Sequence, residues 1–330
     1  MTLALTLSGP QWTVNPGAGV PHAPGWGWYV ILYFFLGGLA GGCFAIAAAL
    51  DLRRNPAPRD RDVTRLGYLL SFPGVIGCGV LLLLDLGRPP RFWHLFIASE
   101  RPPVPIFKYW SPISFGAWTL TGFGLFAFVA FVRVLIESGR LRWSPALRAA
   151  DAVRRLPRTV AVIWTVIGIL FALALAGYTG VLMIGTAHPV WHNAIPLGGL
   201  FLASSASTSY ALLIILLLRR GYGHRDPMVR RLSEADRWAI ALECLLLALV
   251  LVPLGGLARP LITGAFGALF WIGVVLAGLL LPLLLDRLRA GADPGRRDRI
   301  RAGLVLAGGL LLRFVFIMAP QWPEVRPWHL

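Results

Sequence analysis

Two short segments combine charged residues with the ends of apolar runs. Residues 84–89, LDLGRP, end one run with Asp85 and place Arg88 directly outside it. Residues 111–118, SPISFGAW, restart an apolar run after a segment with the chain's only lysine. Charged groups at the edge of hydrocarbon are costly and usually have a function. Because these groups cluster on one membrane face and the sequence offers no evident metal or haem site, the combination indicates a protein that handles protons and a lipid-soluble redox carrier and receives its electrons from a partner.

The composition indicates a membrane protein. Of the 330 residues, 57% are hydrophobic and only 14% are charged. Apolar runs of about 20 residues or more are long enough to span the hydrocarbon of a bilayer. The formal net charge is +16, but the arginines lie between apolar runs, as topology signals do. We therefore expect membrane lipid, and no nucleic acid, as a partner.

Eight transmembrane helices are predicted, which makes the fold class all-α and polytopic. The helices are expected at residues 28–50, 65–86, 111–136, 160–183, 196–218, 238–257, 264–287 and 300–319. Helix 2 ends in LGRP at residues 86–89 and helix 6 in LARP at residues 257–260. This weak repeat favours two parallel four-helix bundles.

Basic residues alternate between the connections. Twenty-four of the 31 lie around the connections 1–2, 3–4, 5–6 and 7–8, six lie on the other side, and Arg313 lies inside helix 8. The positive-inside rule then places both termini outside the cytoplasm. The expected location is the bacterial cytoplasmic (inner) membrane, as a multi-pass protein. The predicted organisation is an extracytoplasmic N-terminal segment (1–27), a first bundle (28–183), a second bundle (184–319) and an extracytoplasmic tail (320–330).

The sequence offers no evident site for a metal or haem. A transmembrane haem needs histidines inside helices, whereas all six histidines lie in loops or at helix ends. The three cysteines lie within apolar runs without metal-ligand spacing. We expect no haem and no iron–sulfur cluster in this chain, so electrons would come from another subunit.

Several ionisable residues are candidates for proton transfer. Asp85 and Arg88 have the spacing of one helix face, so they form either a simple ion pair that ends the helix or a proton acceptor tuned by an arginine. Glu243, expected one and a half turns into helix 6, is either a proton-relay group or bonded to a serine of helix 5.

Aromatic and histidine side chains gather at the same face as Asp85. Tyr178 lies near the outward end of helix 4, and His94 lies in the 87–110 connection. Such residues often form only the interfacial aromatic belt. A quinone site needs an apolar slot, donors for two carbonyl oxygens and a group that moves protons, and these residues supply that set.

The chain resembles the NrfD / polysulfide reductase membrane-subunit family. The matching segments are residues 33–42 (YFFLGGLAGG), 84–89 (LDLGRP), 91–95 (RFWHL), 111–118 (SPISFGAW) and 178–182 (YTGVL). They follow one another in the family's order through helices 1–4.

The resemblance implies an oxidoreductase subunit that reacts with menaquinone or ubiquinone. It also implies a ferredoxin-like iron–sulfur partner, commonly with a molybdopterin or multihaem cytochrome subunit. The implied quinone site contains Tyr178, His94, Asp85, Arg88 and, where the family's helix-1 contribution falls, Trp28. Asp85 and Glu243 are the candidates for proton transfer.

The basic residues of the 87–110 connection, Arg91, Arg101 and Lys108, are the candidates for partner docking. Two other functions remain open from the sequence: a proton-coupled transporter or proton channel, and a purely structural membrane anchor. A transporter should carry polar residues at mid-membrane in both halves.

Overall fold

Eight long helices dominate the part of the chain that the computed structural model describes, which is residues 25–53, 57–96, 111–142, 144–145, 147–148, 157–186, 188–287 and 294–322. The helices are α1 (Trp28–Asp51), α2 (Pro58–Asp85), α3 (Pro112–Glu137), α4 (Arg158–Ile184), α5 (Leu197–Arg219), α6 (Pro227–Leu254), α7 (264–287) and α8 (Pro294–Met318). Each contains an apolar stretch long enough to cross a membrane, and the described residues contain no strand. The prediction of an all-α polytopic membrane protein is confirmed.

Three helices begin earlier than the sequence predicted. They start at residues 58, 227 and 294 instead of 65, 238 and 300. Their first turns are polar, so hydropathy does not detect them, but each has proline near the start, where the missing N–H costs nothing. The Asp226 carboxylate also accepts the Met228 N–H at 2.8 Å and caps α6.

Two irregularities shape the last part of the chain. Helix α6 ends at Leu254 rather than at residue 257, and Gly255 adopts a φ of 50° that favours glycine. The short helical segments Gly255–Ala258 and Arg259–Ile262 follow. Helix α7 is continuous, but its central part, Leu269–Leu280, is a π-helix, which the sequence did not predict.

Helices α1 and α5 form the centre of the molecule. Helix α1 packs against α2, α4, α5 and α8, and two-thirds of the apolar stretches of α1 and α5 are buried. A Cβ atom added at Gly38 or Gly42 would collide with the serines of α5, so these glycines permit close helix approach. Because α1 contacts helices of both halves, the predicted boundary at 183/184 stays a prediction.

Polar contacts join the connections at each end of the bundle. At the arginine-rich end, which carries the connections α1–α2, α3–α4, α5–α6 and α7–α8, Arg133 pairs with Asp51 at 2.7 Å and Arg59 with Asp226 at 2.9 Å. At the opposite end, the Gln321 side chain bonds both the N–H (2.9 Å) and the carbonyl (3.0 Å) of Trp26. That the arginine-rich end faces the cytoplasm stays a prediction.

Candidate functional site

Tyr178 is a buried tyrosine of α4, near the end of the bundle that lies opposite the arginine-rich end. Its side chain is only 5% exposed, and its hydroxyl donates to the Pro112 carbonyl at 2.6 Å. A Cβ atom at Gly116 would overlap the end of the tyrosine ring, so the absence of a side chain there makes room for it. The Phe115 ring lies 6.0 Å away between centroids. The first turn of α3 therefore positions both the ring and the hydroxyl of Tyr178.

His94 lies on a short 3₁₀-helix, Pro89–Leu95, that follows α2. Its ring stacks on Trp93 with 3.7 Å between centroids. The next residue but one, Phe96, meets Trp118 of α3 edge-on at 5.3 Å. The start of α3 therefore contacts both Tyr178 and the segment that carries His94, which brings these two predicted residues to one region.

The predicted pairing of Asp85 with Arg88 is wrong in its geometry. Asp85 is the last residue of α2, and Gly87 then turns the chain with a φ of 64°. Arg88 lies beyond that turn, so the three-residue spacing no longer places both side chains on one helix face. Both residues are exposed, and among the described residues no ion pair joins them.

The other predicted residues of this end are spread more widely. Trp28 is 57% exposed and stacks on Phe314 of α8 at 5.1 Å, and no ring contact or hydrogen bond between described residues links it to Tyr178. Arg91 is exposed on the 3₁₀-helix. Arg101 and Lys108 lie outside the described residues.

A second aromatic cluster lies at this end. Trp26 stacks on Trp191 at 5.3 Å, and the Trp191 indole donates to the Phe316 carbonyl at 2.7 Å. The His188 Nε2 lies 3.2 Å from the Pro320 carbonyl, and burial lowers the pKa of this histidine. Gln321 completes the cluster through Trp26. Nothing in the local sequence marks Gln321, because its partner is 295 residues away.

Arg313 is a fully buried arginine in the middle of α8, with 0% exposure. It donates to the hydroxyls of Ser204 (3.1 Å) and Ser205 (2.9 Å) and to three backbone carbonyls of α1, α5 and α8. The Phe201 ring also faces the guanidinium at 5.2 Å. In the sequence Arg313 stands out only as a basic residue that fits neither membrane face, although a lone arginine in an apolar run is itself a signal of function.

Glu243 lies beside this arginine cluster. It is 3% exposed, and its carboxylate accepts the Ser207 hydroxyl at 3.0 Å, so the predicted contact with a serine of helix 5 is confirmed. Because α6 begins at Pro227, Glu243 lies about four and a half turns into the helix, not one and a half. The structure thus places an acid, an arginine and hydroxyls together deep inside the bundle.

Comparison with known proteins gives one consistent result. The family model described as "Polysulphide reductase, NrfD" matches residues 20–323. One polysulfide reductase chain, from Wolinella succinogenes, is 30% identical over 90% of the present protein and 94% of the relative. Protein NrfD of Escherichia coli is 28% identical over 90% of the present protein and 95% of its own length. One selenate reductase subunit, from Mesobacillus selenatarsenatis, is 22% identical over 89% of the present protein and 73% of the relative's own length.

Proposed function

Because this chain belongs to the polysulphide reductase NrfD family, we propose that it is the membrane subunit of a multi-subunit oxidoreductase. In this proposal it exchanges electrons between an iron–sulfur subunit and the quinone pool, with menaquinone or ubiquinone as the substrate. The relatives named as parts of polysulfide and selenate reductases support membership of a complex. The eight candidate membrane spans support access to a lipid-soluble substrate.

The buried Tyr178 is the observation that carries the quinone assignment. Its hydroxyl lies among apolar and aromatic groups and donates to the Pro112 carbonyl. The same hydroxyl can rotate to donate to a quinone carbonyl oxygen at the cost of one exchangeable hydrogen bond. In the proposal, His94 donates to the second ring oxygen, and Trp28 contributes apolar wall.

Reduction of a quinone to a quinol takes up two electrons and two protons, and oxidation releases them. The electrons pass to or from the partner subunit. Asp85, exposed at the end of α2, exchanges the protons with the aqueous side in this proposal. Arg88 lies too far along the turned chain to share a helix face with Asp85, so its proposed role is an electrostatic one at the entrance of the site.

Glu243 and Arg313 support a further proton-transfer step inside the bundle. Ser204 bonds the arginine at 3.1 Å, and Ser207, one helix turn later, bonds the carboxylate at 3.0 Å. Carboxylates buried in membranes commonly serve as proton relays. We propose Glu243 as the proton-transfer residue of this cluster.

The proposed docking surface for the iron–sulfur subunit is the basic connection after α2. Arg91 is exposed there, and Arg101 and Lys108 follow in the same connection. A ferredoxin-like subunit with a molybdopterin or multihaem cytochrome subunit behind it is the expected partner. Basic side chains at an interface rim steer an acidic partner and increase its association rate.

The test is quinol oxidation by the native complex purified from bacterial inner membranes. We expect Tyr178→Phe and Asp85→Asn to lower the turnover of a menaquinol analogue by about 10²-fold or more, with the complex still assembled. Thr263→Val is the matched control, because Thr263 is an exposed residue of the same end whose hydroxyl donates to the Arg259 carbonyl at 2.8 Å. Full activity in both site variants would exclude the proposed site and favour a structural anchor.

The buried Glu243 and Arg313 also favour a second candidate, a proton channel or proton-coupled transporter. The two functions differ in what purifies with the protein. Purification without any redox partner and proton conduction into liposomes, with conduction lost in Glu243→Gln, would support the channel. Iron in the purified complex and no proton conduction by the isolated protein would support the reductase.

A further inference from the structure

A polar cavity opens between α1, α2 and α3 at the arginine-rich end, far from the candidate quinone site. Its volume is ≈ 460 Å³. The lining contains three arginines, two carboxylates and a tyrosine: Arg61, Arg65, Arg133, Asp51, Glu137 and Tyr68. The charged groups of the lining carry a net charge of +1. Neither the proposed electron transfer nor the proposed proton transfer uses this cavity.

One wall of the cavity is held rigidly by a network of hydrogen bonds. Arg133 forms a bidentate pair with Asp51 at 2.7 and 3.1 Å, and its Nε donates to Glu137 at 2.9 Å. The hydroxyl of the buried Tyr68 donates to the same Asp51 at 3.2 Å. Arg133 therefore bonds both carboxylates, which offset two of the three positive charges of the lining and leave one in excess.

Arg61 and Arg65 also line the cavity. They are four residues apart on α2, so they lie on one helix face. In the described part of the chain, no carboxylate lies within ion-pair distance of either guanidinium. Two guanidinium groups beside a cavity match the oxygens of a phosphate group, which arginine binds with paired, charge-assisted hydrogen bonds.

The depth of the cavity indicates where such a phosphate would come from. Helix α2 has 28 residues and is about 42 Å long, whereas the hydrocarbon core is about 30 Å thick. The first turns of α2, which carry Arg61 and Arg65, therefore extend beyond the hydrocarbon to the level of the lipid headgroups. Basic pockets between transmembrane helices at this level bind anionic headgroups.

We propose that this cavity binds the phosphate group of an anionic phospholipid, with Arg61 and Arg65 as the principal donors. The net charge of +1 matches the single negative charge of a phosphodiester such as that of phosphatidylglycerol. The Asp51–Arg133–Glu137 wall keeps the cavity open. A soluble phosphate has the same chemistry, and the experiment distinguishes the two sources.

The experiment is native mass spectrometry of the purified complex, titrated with phosphatidylglycerol or phosphatidylcholine in one arm and challenged with inorganic phosphate or glycerol 3-phosphate in the other. We expect one phosphatidylglycerol to bind the wild-type complex at least tenfold more tightly than phosphatidylcholine. The double variant Arg61→Gln/Arg65→Gln should lose that preference, about tenfold or more, because each charge-assisted hydrogen bond to phosphate is strong.

The matched control is Arg219→Gln/Arg220→Gln, which removes the same charge from exposed arginines of the same end outside the cavity. Selective loss in the cavity variant supports the site, and displacement by glycerol 3-phosphate or phosphate at low concentration assigns it to a soluble ligand instead of lipid. Equal loss in both variants would overturn the proposal. The proposal would also be overturned if the wild-type complex showed neither a preference for phosphatidylglycerol nor binding of phosphate. That result does not depend on the folding of any variant.

Discussion

A single methyl group added at Gly116 should disable the candidate quinone site. The Cβ of Gly116→Ala would lie well under 3.0 Å from the hydroxyl end of the Tyr178 ring. The ring must then move by about 1.3 Å or more to reach ordinary contact distance. The hydroxyl now bonds the Pro112 carbonyl at 2.6 Å, and a displacement of that size takes the pair out of hydrogen-bond range.

The energetic cost can be worked out from three contributions. Loss of the hydrogen bond costs about 1 kcal/mol, and overpacking of a buried site costs about 1–3 kcal/mol. Alanine in a helix interior recovers about 1 kcal/mol relative to glycine. We therefore expect Gly116→Ala to lower the free energy of unfolding by about 1–3 kcal/mol, and to reduce quinol turnover much as Tyr178→Phe does.

The assay compares Gly116→Ala with Gly79→Ala in the purified complex. An added Cβ at Gly79 meets nothing within 4 Å, so this control should keep wild-type turnover, with a thermal midpoint at or slightly above the wild-type value because alanine is the better helix former. Turnover of a menaquinol analogue and the midpoint of thermal unfolding are measured on the same samples. Wild-type turnover in Gly116→Ala would refute the reasoning, because it would show that the position of the Tyr178 ring does not matter.

Three other predictions concern buried or pH-sensitive groups. Arg313→Leu should destabilise the protein by about 3–5 kcal/mol, because it leaves hydroxyls, carbonyls and a carboxylate without their buried cation, and it should lower the thermal midpoint. Arg301 and Asp236 form a fully buried ion pair, 2.5 Å apart. Replacing either residue alone by leucine should lower the free energy of unfolding by about 3–5 kcal/mol, and replacing both should recover most of that loss. A double-mutant cycle measures the difference. Burial lowers the pKa of His188 below its usual value of 6.5, so as the pH falls the unfolded chain binds a proton before the folded protein does. The contribution of the neutral His188 to the free energy of unfolding should therefore be fully present above pH 6.5 and decrease below it. His188→Gln should flatten that pH profile of the thermal midpoint, and an unchanged slope would disprove the role of this ring.

The membrane spans could be predicted from the sequence because the apolar runs themselves specify them. The starts of α2, α6 and α8 could not, because their first turns are polar helix outside the hydrocarbon, stabilised by proline and by the Asp226 cap. The π-helical part of α7 also has no hydropathy signal, since the same residues are apolar in either helix type.

The site was predicted as a set of residues rather than as a geometry. Tyr178 and His94 could be singled out because polar aromatic groups at one membrane face are conspicuous, and Tyr178 and the segment that carries His94 both contact α3. The pairing of Asp85 with Arg88 failed because helical spacing was extended through Gly87, whose positive φ ends the helix. Arg313 was overlooked as a site because topology counting treats charges only as markers of sidedness.

The pair of hydrogen bonds between Trp26 and Gln321 has a consequence for biogenesis. It joins residues 295 positions apart, and α1, the most central helix, leaves the ribosome first while α8 leaves last. At about 5–20 residues per second, synthesis of the intervening chain takes about 15–60 s. During most of that interval the Phe34 carbonyl lacks Arg313, which follows it by 279 residues, and Ser204 lacks the same arginine for the last 109 of them. The early helices must therefore be sheltered by lipid or by the insertion machinery. A truncation that stops before α8 should therefore yield a nascent chain that membrane quality-control proteases recognise.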